Sequence, residues 1–126
     1  MIKTWIQACR IKTLPAAICP VCIGAFLAAS DNLFHRMATL SALLGAIGLQ
    51  IGCNIANDYF DYVKGADTPD RLGPKRVTQQ GLVSIAGMKR AIIITFLSNF
   101  GAILIASANA WLGSRLGFNF SYFFII

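Results

Sequence analysis

The run MATLSALLGAIGLQIGCNIAN, Met37 to Asn57, carries no charged residue and is flanked by Arg36 and Asp58. A helix needs about 20 mostly apolar residues to cross a hydrocarbon core roughly 30 Å thick. Two further uncharged runs, Thr13 to Ser30 and Ala91 to Ser114, lie on either side of it. Together they predict three transmembrane spans, about 13–30, 37–57 and 90–113. The apolar stretch Leu116 to Ile126 reads as the start of a truncated fourth. The expected fold class is therefore all-α, a polytopic bundle of transmembrane helices filling one domain, 1–126. Three buried helices in a soluble core would leave too little amphipathic sequence to cover them in 126 residues. Only 13% of the chain is charged, where a soluble domain carries about a quarter. Lys3, Arg10 and Lys12 followed by an apolar run and Ala28-Ala29-Ser30 also resemble a cleavable leader. Pro15 and Pro20 inside that run, and the two spans after it, favour its retention as a helix.

Charge predicts orientation. With three spans, the N-terminus and the long hydrophilic segment, about 58–89, share one side of the membrane. That side holds nine of the eleven basic residues: Lys3, Arg10, Lys12, Lys64, Arg71, Lys75, Arg76, Lys89 and Arg90. The positive-inside rule places it in the cytoplasm. The net charge of +6 needs no nucleic acid to explain it, since basic loops also suit anionic lipid or a phosphorylated substrate. Cys19-Pro20-Val21-Cys22 has redox-pair spacing, but it lies inside an apolar span with no βαβ pattern around it. The four cysteines are read as small packing residues, and His35, solitary in a short loop, receives no role.

The central span is rich in small residues (Ala42, Gly45, Ala46, Gly48, Gly52), which suits close helix packing in lipid. It ends in a polar stripe. Gln50, Asn54 and Asn57 recur at spacings of four and three, and Asp58 and Asp61 extend the series. Polar groups at membrane depth are costly unless they meet a partner or a cavity, so this stripe is a candidate site. Beyond Asp61 the punctuation by Gly65, Pro69, Gly73, Pro74 and Gly81 predicts a loop, with the next helix beginning near Gly87.

The segment 54–81 reads NIANDYFDYVKGADTPDRLGPKRVTQQG. Asn57 and Asp61 stand one helical turn apart, and a turn at Gly65 brings Asp67 within reach of them. A few oxygen ligands completed by water and substrate phosphate are what Mg²⁺ accepts. Lys64, Arg71, Lys75 and Arg76 add phosphate-binding charge. On residue chemistry alone, a solvated loop of neutralising charge pairs is the simpler reading. The glycine spacing does not fit a P-loop, and the aspartate spacing in a chain without glutamate does not fit an EF-hand.

Asn57-Asp58-Tyr59-Phe60-Asp61, followed by Lys64-Gly65, Asp67, Asp70-Arg71, Gly73-Pro74 and Arg76, resembles the first aspartate-rich motif of the UbiA superfamily of intramembrane prenyltransferases. The superfamily pattern often places an acid where this chain has Gly65. The delayed acid at Asp67 is similar to the branch that prenylates 1,4-dihydroxy-2-naphthoate in menaquinone synthesis. Arg10, Thr13, Leu14 and Pro15 also resemble that branch, with Ile11 where proline is common.

The resemblance implies an integral protein of the bacterial inner membrane with polyprenyl diphosphate and dihydroxynaphthoate as substrates. It implies Mg²⁺ on Asn57, Asp61 and Asp67, with Asp58 and Asn54 beside them, and diphosphate on Lys64, Arg71, Lys75 and Arg76. Asp61, Asp67 and Lys64 are then the catalytic candidates, and Tyr59, Phe60 and Tyr62 are candidates for facing an allylic cation. The superfamily has a larger bundle and a second acidic motif, whereas no acidic residue follows Asp70 here. The expectation is thus a truncated form, or one completed by another chain or by self-association. A non-catalytic membrane protein (a degenerate remnant or helix-bundle partner) is the alternative, with an anion transporter third.

Overall fold

The computed structural model describes residues 1–66 and 76–116, with side chains in the last helix as far as residue 104. The described residues form helices α1 (Ile2–Cys9), α2 (Pro15–Ser30), α3 (Arg36–Val63) and α4 (Ile85–Leu116), with a short 3-10 turn at Ile11–Thr13. Two stretches, α3 and Ile85–Leu104 of α4, are long and apolar enough to cross a membrane; the pair Ile2–Thr13 and Pro15–Ser30, bent by 50°, makes a third if it is one broken span. The all-helical membrane architecture expected from the sequence is therefore present. The proposed start of a fourth helix falls largely outside the described residues.

The element boundaries differ from the expected spans in ways that local chemistry explains. The first apolar run is not one rod. Arg10 closes α1 in a left-handed conformation, φ 49°, and Pro15 opens α2 at its first turn, where a missing amide costs nothing. The helix of the central span, α3, continues past Asn57 to Val63, so six residues expected in the loop are helical. It ends in a Schellman closure: the Gly65 amide, at φ 65°, donates to the Tyr62 carbonyl at 3.1 Å, and the Ala66 amide to that of Asp61 at 2.9 Å. The turn expected at Gly65 is thus real. Gly81, φ 68°, closes the short turn 77–80 in the same way, through Gly81 to Thr78 and Leu82 to Val77. The Ser84 hydroxyl then accepts from the Gly87 amide at 3.1 Å and starts α4 two residues earlier than expected. His35, given no role from sequence, caps α3: its Nδ1 accepts from the Ala38 amide at 3.2 Å.

Helix α3 is the axis of the assembly, contacted by α1, α2 and α4. Its small residues permit close approach to α4, as the composition of the run predicts. Gly48 lies directly against the Asn99 side chain, and a Cβ on Gly52 would come within 3.3 Å of Phe96 and Thr95. Away from that seam, Phe26, Leu44, Ile94 and Leu97 point outward, as lipid-facing side chains do. Cys19, Cys22 and Cys53 are also exposed, and all four cysteines are free. The expectation that the cysteines serve as packing residues within the chain therefore fails for these three. The buried core gathers at one end of the bundle, where Ala8, Ile55, Val77 and Met88 meet beneath Trp5, Ile51, Tyr59 and Val83. This is the end that carries the aspartate motif.

Candidate functional site

The polar stripe of α3 divides into two sets with different surroundings. Gln50, Asn54 and Asp58 recur every four residues and turn toward the protein. The Asn54 Nδ2 donates to the Cys9 carbonyl at 2.9 Å and to the Thr13 hydroxyl at 2.8 Å. Gln50 reaches the same hydroxyl at 3.5 Å, and Thr13 in turn donates to the Arg10 carbonyl at 2.9 Å. These contacts fasten the N-terminal junction to the axis helix. They explain the polar residues at Gln50 and Asn54 without any ligand.

Asn57 and Asp61 form the other set. Asn57 is exposed, and the Asp61 side chain is 37% exposed. With one turn between them and Lys64 a further turn on, three polar side chains share one accessible side of the helix end. Phe60 and Tyr62 are exposed nearby, whereas Tyr59 packs on the core and meets the Phe60 ring in a T-shaped contact, centroids 5.2 Å apart.

Arg76 returns to this point from beyond the loop. It is 6% exposed, donates from Nη1 to the Asn57 carbonyl at 2.8 Å, and forms an ion pair with Asp61. A base expected to meet diphosphate is therefore already at the acid expected to hold metal. Asp58 departs most from expectation. It is 2% exposed, and its Oδ2 accepts from the Val77 amide at 3.2 Å. One residue along a helix is a rotation of about 100°, so Asp58 cannot share the open side with Asn57. It does not offer an accessible ligand oxygen here. Asp67, Arg71 and Lys75 lie outside the described residues.

Among the described residues, no group of three or more His, Cys, Asp or Glu side chains is close enough to hold a metal ion. What the site offers is two hard oxygen side chains, Asn57 and Asp61, open on one side. That set suits a cation such as Mg²⁺, which keeps several waters and takes further oxygens from substrate phosphate.

The chain matches the UbiA prenyltransferase family over residues 17–125. It is 42% identical over 118 residues to the 1,4-dihydroxy-2-naphthoate octaprenyltransferase of Escherichia coli K12, covering 92% of this chain and 38% of that protein. It is similar to the proteins of the same name from Haemophilus influenzae (37% identity, 85% of this chain, 36% of the relative) and Mycobacterium tuberculosis (34% identity, 94% and 46%). The chain thus spans between a third and a half of the length of these relatives. No solved structure matches it.

Proposed function

Because the chain belongs to the UbiA prenyltransferase family, we propose that it serves the transfer of a polyprenyl group from polyprenyl diphosphate to 1,4-dihydroxy-2-naphthoate. The observation that carries this reading is the accessible Asn57–Asp61 pair, with Lys64 a turn away and Arg76 held against Asp61, at the end of a membrane-crossing helix. The relatives' names supply the acceptor and the class of donor.

In this reading, Asn57 and Asp61 hold Mg²⁺, with Asp67 as a third oxygen ligand. When bound, the cation supplies Lewis-acid stabilisation of the diphosphate leaving group. Lys64, Arg71, Lys75 and Arg76 add fixed positive charge where negative charge develops as the allylic C–O bond breaks. Phe60 and Tyr62, exposed at the same helix end, are the aromatic candidates for stabilising a developing cation. The electron-rich ring of the acceptor then forms the new C–C bond to the allylic carbon as diphosphate leaves, and its carboxylate departs as CO2; a proton lost from the alkylated ring carbon is matched by the proton that replaces the carboxylate. The motif side faces the cytoplasm of a bacterial inner membrane, following the distribution of Lys and Arg. Further helices, from a longer form of the chain, a complementing chain or a second copy, enclose the prenyl tail against the exposed apolar faces of α2 and α4.

The test is prenyl transfer in lipid, with dihydroxynaphthoate, a labelled polyprenyl diphosphate, and Mg²⁺ present or absent. The expected outcome is Mg²⁺-dependent product that falls at least about a hundredfold in Asp61→Ala. No product from an inserted, folded chain would assign catalysis to a larger assembly and not to this chain alone.

A further inference from the structure

We infer that Asp58, though it stands inside the acidic motif, is a positioning residue: it fastens the segment Arg76–Thr78 onto α3 and so delivers Arg76 to Asn57 and Asp61. The geometry separates it from its neighbours. Asn57 and Asp61 are accessible, while Asp58 is 2% exposed, with Oδ2 on the Val77 amide and Oδ1 buried without a well-formed hydrogen bond among the described residues. Thr78 lies beside it, and Arg76 and Arg10 supply positive charge close by. A buried carboxylate is expensive unless donors and charge surround it, so this position is used for something an apolar residue would not provide. The amide it captures belongs to Val77, 1% exposed, whose side chain completes the core with Ala8, Ile55 and Met88. The residue before that amide is Arg76. One hydrogen bond across 19 residues of chain therefore sets where the guanidinium arrives.

The fastening itself is independent of the proposed reaction; its importance for catalysis rests on the reading of Asn57 and Asp61 given above. In a chain with Cys9, Cys19, Cys22 and Cys53 replaced by alanine, Val77→Cys places a thiol in the fastened segment. Ala8→Cys, in a separate protein, places one in the same core but on α1. Both are tested with a water-soluble maleimide in bilayer discs. Asp58→Ala is expected to speed labelling at Val77→Cys by about tenfold or more and to speed Ala8→Cys, which shares that core from α1, much less. Asp58→Asn, which keeps an acceptor oxygen for the Val77 amide, is expected to restore slow labelling. Equal acceleration at both thiols would make Asp58 a general stability residue and overturn the proposal. So would unchanged labelling in Asp58→Ala, or labelling in Asp58→Asn as fast as in Asp58→Ala.

A second readout separates this failure from failure of the metal reading. Binding of Mn²⁺ alone, followed by its paramagnetic resonance, is expected to weaken about tenfold or more in Asp61→Asn and less than about threefold in Asp58→Asn. Loss as large in Asp58→Asn as in Asp61→Asn would make Asp58 a ligand and overturn the positioning role. Binding unaffected by Asp61→Asn would remove the metal site while leaving the labelling result to stand by itself.

Discussion

Asn54 and Thr13, far apart in sequence, meet side chain to side chain at 2.8 Å, and the same amide nitrogen also reaches the Cys9 carbonyl. Both acceptors belong to the junction where α1 turns through Arg10 and the 3-10 residues into α2. The bend is thus held from the axis helix and is not left to the N-terminal segment. Loss of Asn54 takes this donor from the Cys9 carbonyl and leaves the Thr13 hydroxyl with its bond to the Arg10 carbonyl and the long contact from Gln50. Asn54→Ala is expected to lower stability by about 1–3 kcal/mol, with Thr13→Val costing less because the Cys9 bond survives. Thermal unfolding of the two variants in the same detergent measures the difference.

The seam between α3 and α4 admits no side chain at Gly48, which lies against Asn99. Asn99 is tied to its own helix, donating from Nδ2 to the Thr95 carbonyl at 2.9 Å. Moving it aside therefore breaks a bond as well as repacking the seam. Gly48→Ala is expected to destabilise by about 1–3 kcal/mol, and Asn99→Ala in the same chain to recover a large part of that loss. A double-mutant cycle by thermal unfolding returns the coupling; additive costs would mean the contact does not limit packing.

Arg76 brings together two acceptors that the backbone keeps separate, the Asn57 carbonyl and the Asp61 carboxylate. Lysine carries the charge but lacks the planar fork. Arg76→Ala is expected to cost about 1–3 kcal/mol of stability, and Arg76→Lys to recover less than half. Chemical denaturation with a helix-signal readout tests the order, and full recovery by lysine would reduce the contact to charge alone.

Gly65 and Gly81 sit at positive φ, where a Cβ is penalised even though the space around each is open. Gly65→Ala and Gly81→Ala are each expected to cost about 1 kcal/mol. Asparagine, which tolerates this conformation, should cost less at either position. A larger loss at Gly81 than at Gly65 would show that the turn before α4 is the more tightly coupled of the two.

The helices could be read from the sequence because charge-free length and small-residue spacing are properties of single segments. The run from Met37, the glycines at Gly48 and Gly52, and the stop at Gly65 all fall in that class. The orientation of Asp58 could not be read so, because adjacent residues in one motif differ only by rotation about an axis whose neighbours are set by tertiary packing. The same holds for Arg76, whose place at Asp61 depends on where Val77 packs. His35 escaped because histidine is not among the strongly preferred capping residues. The position of a polar residue just before the apolar run was the available signal. The bend at Leu14 was marked by Pro15, but a proline at a first helical turn and one inside a span look alike until the preceding backbone is known.

Helix α3 is 28 residues long, about 42 Å at the rise of an α-helix, against a hydrocarbon core of roughly 30 Å. Its apolar part and its acidic end therefore sit at different depths along a single stiff rod. A molecule with a charged head and a long greasy tail can be sampled by such a rod without leaving the lipid, head and tail each meeting the stretch that matches it. The distance between the two stretches is fixed by helix rise, so head and tail are matched by depth before any side chain distinguishes one head group from another.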